Sequence, residues 1–258
     1  AALGGKAVFW LFGVIGVLLG VLWFKFVPDN PKQSPYVNEA ELEHINDGRE
    51  NTVEAKEIAP WGKLLKSSQF WSLGLQFMIT DYIMYVFLAW LPLYLMEVHG
   101  FSLSKMGLWA AAPWLSLMAV VSCCGYLSDK AIAAGFSQNL VKTSTGAVGI
   151  LLCACTLFIA TRTADPMMNV FWLSVALGSL GLTMSASWSS VISMGGRFAG
   201  SVSGWMNFWG NIGGVLAPSV TAWVATTYGW QAALAVTAVS GIAGAVLWLF
   251  VKPDKAIV

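Results

Sequence analysis

Charge is what this sequence has least of. Only 10% of its 258 residues are Asp, Glu, Lys or Arg, where soluble domains carry about 25%. With 57% hydrophobic residues beside that deficit, a chain with a water-facing surface all round is excluded. The four cysteines form two tight groups, Cys123-Cys124 and Cys153/Cys155. Neither has C-x-x-C spacing or a nearby His, so they read as small, polarizable packing residues and not metal ligands. The two histidines, His44 and His99, are far apart. No set of nucleophile, base and orienting group is present, and no phosphate-cradling loop. An enzyme is therefore not expected, nor a cofactor, a metal site or a nucleic-acid partner. The start lacks an initiator Met, a basic n-region and a small-residue cleavage site, so it does not read as a signal peptide. Ala1-Ala2-Leu3 looks like the middle of a longer chain.

What is abundant is uninterrupted apolar sequence. Uncharged or nearly uncharged stretches occur at about 7–27, 69–95, 104–127, 140–161, 169–193, 200–226 and 231–251. Each has the roughly 20 residues that a spanning helix needs. Alternation of the barrel-strand kind is absent. The expectation is an all-α polytopic membrane protein with seven spans: one helix at 1–27, a polar stretch at 28–68, and a six-helix bundle at 69–258. If the 28–68 stretch is cytoplasmic, eleven of the fourteen Lys and Arg residues fall inside, and only Lys6, Lys105 and Arg162 fall outside. That asymmetry satisfies the positive-inside rule and predicts a cytoplasmic C-terminus. In the polar stretch, Asn38 followed by Glu41 makes a capping box for a helix from Glu39 to about Asn46, ahead of an acidic run that includes Asp47, Glu50, Glu54 and Glu57. Pro60-Trp61 opens a second short helix with Lys63 and Lys66 on its polar side, suited to the inner membrane face.

Several polar residues sit where lipid should be. Asp81 lies about 18 Å along the stretch that begins at Gln69, at 1.5 Å rise per residue. An ionised carboxylate at that depth is costly and faces a partner or a wet cavity, which makes it a candidate for recognition or proton binding. No Lys or Arg is expected at its depth. Tyr85 and Leu88 share its face, with Tyr82 beside them. The run Ser185-Ala186-Ser187-Trp188-Ser189-Ser190 either bonds back to its own helix or lines a cavity with Trp188 as a stacking surface. Asn207 and Asn211, four apart, share a face and serve either as interhelical glue or as substrate contacts. Gly200/Gly204, Gly210/Gly214 and Gly241/Gly244 have the spacing of close helix contacts. Pro92, Pro113 and Pro218 fall inside spans as candidate kinks.

Gly125-Tyr126-Leu127-Ser128-Asp129-Lys130 ends the third span. Gly125 there permits close helix approach, Asp129 can accept from a helix N-terminus or an Arg, and Lys130 stays on the inner side. This hexapeptide resembles the cytoplasmic loop motif of the major facilitator superfamily, in the copy between helices 8 and 9. Residues 35–42, 81–92 and 204–214 resemble the anion:cation symporter family, which includes hexuronate, galactonate, glucarate, tartrate and phthalate permeases. The resemblance covers essentially the whole chain. It implies the major facilitator fold from helix 6, through the central loop, to helix 12. It also implies proton- or sodium-coupled movement of organic anions by alternating access, with two bundles rocking about a midplane site. Carried across, Tyr82, Tyr85, Ser185, Ser187, Trp188, Asn207 and Asn211 are the implied substrate contacts, joined by Asp81. Gly125, Asp129 and Lys130 belong to the inner gate.

Two departures stand out. The family often has Asn or Gly where Asp81 stands, and Ala131-Ile132-Ala133-Ala134 replace the usual basic residues after the loop motif. Helices 1–5, which in the family carry the arginine for the substrate carboxylate and the protonatable acids, lie outside this sequence. The leading expectation is the C-terminal portion of a bacterial inner-membrane, proton-coupled carrier for sugar acids or aromatic carboxylates. Its partners would be a small-molecule substrate, a coupling ion, the lipid bilayer and an N-terminal bundle of the same carrier. Two alternatives stay open: a carrier of neutral or cationic compounds with Asp81 as counter-ion, and a non-transporting sensor on the same scaffold.

Overall fold

A computed structural model of the chain describes residues 5–28, 30–46 and 58–257. The expected start at Ala1-Ala2-Leu3 and the acidic run from Asp47 to Glu57 lie outside the described residues. The chain divides into two units, Ala1–Ile58 and Ala59–Val258. In the first, α1 (Gly5–Phe26) runs 22 residues, about 33 Å at 1.5 Å per residue. A one-turn 3-10 helix at Pro31–Gln33 follows, then α2 (Glu39–Asn46). Asn38 caps α2: its Oδ1 accepts the Glu41 N–H at 2.8 Å, satisfying a donor that the first turn would leave unpaired.

The second unit begins at Ala59. The single turn α3 (Trp61–Leu64) is part of it, because Leu64 is fully buried and the Trp61 ring meets Phe70 edge-on. Then come α4 (Ser68–Glu97), α5 (Leu103–Trp109), α6 (Ala111–Ala133), α7 (Gln138–Arg162), α8 (Pro166–Gly195), α9 (Ala199–Tyr228) and α10 (Trp230–Trp248). Six continuous helical stretches are long and apolar enough to cross a membrane, and the longest, Pro166–Tyr228, holds both α8 and α9. A 3-10 turn at Gly196–Phe198 separates those two, and Gly196 adopts φ +48° there, a conformation that glycine takes without steric cost. No strand occurs among the described residues.

The 104–127 block is two helices where the sequence suggested one. Pro113 has no N–H for the Trp109 carbonyl, and its ring crowds that carbonyl, so the helix breaks at Ala110. Pro92 and Pro218, by contrast, sit within continuous helix. At the start of α8, Asp165 accepts the Met168 N–H at 2.7 Å with Pro166 in the first turn, a strong helix-start arrangement.

Short connections make sequential helices antiparallel, and beside the sequential pair α7 and α8 several close pairings skip neighbours. α4 packs on α9 and α10, α10 on α7, α7 on α8, and α8 on α6. Glycine sets how close these pairs come. At Gly213 a side chain would collide with the Met78 carbonyl and approach the Tyr82 backbone nitrogen to 3.1 Å. At Gly149 it would meet Thr183 at 2.7 Å and the Ser179 carbonyl at 2.9 Å. Gly241 and Gly244 take the Ile150 and Ala154 side of α7 in the same way. Gly200 and Gly204 differ from the close-contact expectation: nothing lies within 4 Å of either. Spacing alone does not distinguish a glycine facing a helix from one facing outward.

The C-terminal end of α4 is tied down by polar groups. Asn169 donates to the Tyr94 hydroxyl at 3.0 Å and to the Ala160 carbonyl at 2.8 Å, joining α4, α7 and α8. His99 Nε2 lies 3.3 Å from the same hydroxyl. Trp230 packs edge-on against Tyr94 and donates to Glu97 at 2.9 Å. Burial holds the His99 imidazole below its ordinary pKa, against the opposing pull of Asn169 hydrogen bonding and the Asp165 charge.

Two predictions follow from this packing. Gly213→Ala must push α9 off the α4 backbone, an overpacking cost of about 1–3 kcal/mol. Gly107→Ala, within α5 and with nothing within 4 Å, should instead stabilise by up to about 1 kcal/mol. Thermal unfolding in detergent checks both, and equal effects would contradict the packing. The second concerns His99. Because folding favours its neutral form, the unfolded chain takes up a proton first as pH falls through about 6.5. Stability from this group is therefore full above that value and declines below it, until the folded imidazole also protonates. The pH dependence of the melting temperature should flatten in His99→Gln.

Candidate functional site

The face that matters is built where α4, α8 and α9 meet. Phe77 of α4 is the pivot. It is 2% exposed, its ring meets Trp188 of α8 edge-on at 5.8 Å, and it lies 2.8 Å from where a Gly210 side chain would begin on α9. Asp81, one turn along α4, is 6% exposed and its Oδ2 rests against Gly210. Its Oδ1 is buried with no hydrogen-bond partner. Tyr85 follows, half-buried, with its ring 3.0 Å from a side chain placed at Gly214. One α4 ridge thus runs along a glycine groove in α9, and a carboxyl lies in the middle of the seam.

Around that seam the expected contacts separate into three groups. Trp188 is 42% exposed, and Asn207 and Asn211 are also exposed. The Asn211 amide donates to the Asn207 carbonyl at 2.8 Å. These three offer themselves to whatever lies beside the bundle. Ser187 instead is fully buried, donating to the Thr183 carbonyl at 2.8 Å and accepting from Gln76 Nε2 at 3.1 Å. It fastens α8 to α4. Ser185 is half-buried. Tyr82 turns away from Trp188 and lines a groove of about 230 Å³ with Met78, Ile79, Gly213, Val220 and Ser240, between α4, α9 and α10.

Sequence reasoning missed the residues that hold this arrangement. Gln76 is fully buried and donates to the Leu73 carbonyl and to Ser187, each at 3.1 Å. Thr80 donates to the Gln76 carbonyl at 3.0 Å, and Thr183 reaches the Gly146 carbonyl on α7 at 2.9 Å. The signal was present, since a Gln one turn before Asp81 in an apolar stretch must find partners. Lys142 is a second such residue. It lies within α7, 9% exposed, and donates to the Ser189 carbonyl at 3.0 Å and the Ser193 hydroxyl at 3.1 Å. A cation near the C-terminal end of α8 complements its dipole.

At the end of α6, Asp129 and Lys130 are exposed and the Lys130 ammonium lies 5.5 Å from the Tyr126 ring centroid. Gly125 has nothing within 4 Å, so the close helix approach expected of it does not occur within the bundle. Beside it a cleft of about 370 Å³ opens between α6 and α7, lined by Cys124, Ser128, Ser144 and Thr145 among others. Among the described residues, no group of three His, Cys, Asp or Glu side chains is arranged to hold a metal ion.

Comparison with known proteins places this geometry in context. The chloroplastic ascorbate transporter of Arabidopsis thaliana is 27% identical over 253 residues, 98% of this chain and 47% of the relative. The D-galactonate transporter of Escherichia coli O6:H1 is 28% identical over 259 residues, 95% of this chain and 59% of the relative. A chloroplastic sodium-dependent phosphate transport protein of Arabidopsis thaliana is 25% identical, covering 98% of this chain and 50% of the relative. The chain thus spans about half the length of such relatives. In fold it is similar to a bacterial homologue of the human drug peptide transporters, at TM-score 0.55 and 16% identity, over 72% of this chain and 44% of that one. These relatives are transporters and not enzymes. The sequence profile of the Major Facilitator Superfamily matches residues 1–218, and with its seven apolar blocks and all-helical build the chain belongs to that superfamily of multi-pass membrane transporters.

Proposed function

We propose that this chain is the C-terminal portion of a secondary carrier that moves small organic anions by alternating access, in symport with protons. One observation carries the reading. Asn207 and Asn211 are exposed at about 12 and 18 Å along α9 at 1.5 Å rise per residue, well inside a bilayer core. Amides at that depth do not face acyl chains, because hydrocarbon offers no partner to the Asn207 amide or to the N–H that Asn211 keeps beyond its bond to the Asn207 carbonyl. They face a wet cavity shared with another bundle, where they and Trp188 contact the solute while Asp81, Tyr82, Tyr85, Ser185 and Ser187 shape or support that wall. The anionic class is supported by the ascorbate, D-galactonate and phosphate named for the relatives. The expected basic residue for the carboxylate belongs to the N-terminal bundle.

In this reading Gly125, Asp129 and Lys130 form the inner gate, the carrier sits in the inner membrane of a bacterial cell, and the charge asymmetry supports a cytoplasmic C-terminus. A second reading has a specific observation behind it. A carboxyl at the centre of the seam suits a neutral or cationic solute, with Asp81 as its counter-ion.

Counterflow in proteoliposomes holding the full-length carrier separates the two. Exchange of labelled D-galactonate, ascorbate or benzoate, with competition by carboxylates, is the expected outcome; competition by amines alone supports the second reading. Binding without any counterflow supports a sensor. Asn207→Ala and Asn211→Ala should each raise the half-saturation concentration about tenfold, the loss of one hydrogen bond to a charged group.

A further inference from the structure

The seam between α4 and α9 holds a carboxyl that no free carboxylate could occupy unaided. Asp81 is 6% exposed, and its buried Oδ1 lacks a hydrogen-bond partner. Oδ2 lies against Gly210, and the Phe77 ring closes the same space. Phe77 of α4 and Gly210 of α9 press on it, and Trp188 of α8 backs the Phe77 ring. Neither α8 nor α9 contains a charged residue, and the titratable side chains nearest along α4 are Tyr82 and Tyr85. An unpaired charge in such a place is strongly disfavoured relative to the neutral acid.

We infer that Asp81 carries the coupling proton of this half of the carrier, holding it while α4 and α9 are closed on Gly210 and releasing it only when that seam parts. The inference rests on the carrier reading and deepens it by naming where the proton binds. The step is a plain acid dissociation. The carboxyl O–H bond breaks, its proton goes to a water admitted by the parted seam, and the electron pair stays on the oxygen. Reprotonation from water on the opposite side lets the seam close again. Gly210 has a definite part in this device, since only a residue without a side chain lets the carboxyl lie flat against α9. The coupling is then mechanical: ionisation and a closed α4–α9 contact exclude each other, so a proton gradient biases which way the bundle packs. It also explains how an acid can stand in an anion pathway, because the neutral form does not repel the substrate carboxylate.

Infrared spectroscopy of the purified full-length carrier at neutral pH tests this without any substrate. A protonated carboxyl C=O band should be present and should disappear in Asp81→Asn. A band unchanged by that substitution, or absent from the parent protein, overturns the assignment. Transport supplies the second measurement, using whichever of D-galactonate, ascorbate and benzoate exchanges. With a pH gradient of one unit, the ratio of gradient-driven uptake to exchange should fall about tenfold in Asp81→Asn, the worth of one coupled proton. An unchanged ratio overturns the inference. Gly210→Ala, which wedges the seam, should shift the pH dependence of exchange while keeping the band; an unshifted profile removes Gly210 from the device. If none of the three acids exchanges in the parent carrier, the anion reading fails, and the infrared result still decides the state of Asp81.

Discussion

Backbone-to-backbone contact between α4 and α9 is the constraint on which the bundle depends. In lipid there is little hydrophobic drive to bring helices together, so association relies on close packing and on hydrogen bonds that lipid does not offer. Gly210, Gly213 and Gly214 supply the packing at the middle of the seam, where α9 presents backbone and no side chain. Met78, Tyr82 and Tyr85 then sit on the α9 backbone itself. The consequence reaches beyond stability. A seam this close resists gradual deformation, as close-packed interfaces do.

Polar groups fill in what packing leaves. Gln76, Ser187, Thr183 and the Gly146 carbonyl form a chain from α4 through α8 to α7, and Lys142 holds the end of α8. Tyr94 and Asn169 do the same at the other end of α4. Most hydroxyls in the Ser-rich run of α8 are used locally, as with Ser190 and Ser189 bonding the Ala186 carbonyl. Several buried polar atoms still lack a partner, Asn169 Oδ1, Thr221 Oγ1 and the Trp248 indole N–H among them, and of these atoms in the described residues Asp81 Oδ1 alone belongs to a carboxyl. Membrane helices carry such a group where something has to bind or leave.

How much of this could be read beforehand depends on how local the cause is. The apolar blocks, the cap of α2 by Asn38 and the start of α8 at Asp165 each arise from a few adjacent residues. The break at Ala110 is local too, because Pro113 acts four residues back, yet its outcome differed from that at Pro92 and Pro218, where the helix continues. Site residues were legible as residue types and not as directions. Trp188, Asn207 and Asn211 are exposed, Ser187 is enclosed, and Tyr82 faces the α10 side, although all came from the same kind of argument. Gly204 and Gly210 share one helix and one motif, and only the second touches another helix.

The sequence alone determined that this chain lies in a membrane, where its apolar blocks run, and which residue types interrupt them. Those properties follow from the cost of transferring each segment from water to hydrocarbon, and that cost is summed along the chain. Only the tertiary structure decided how each helix is turned about its own axis. When core and lipid are equally apolar, a helix has no strong stripe to orient it, so rotation is set by where glycines let backbones meet and where buried polar groups find partners. That rotation put Asp81 inside the seam, and Asn207 and Asn211 outside it.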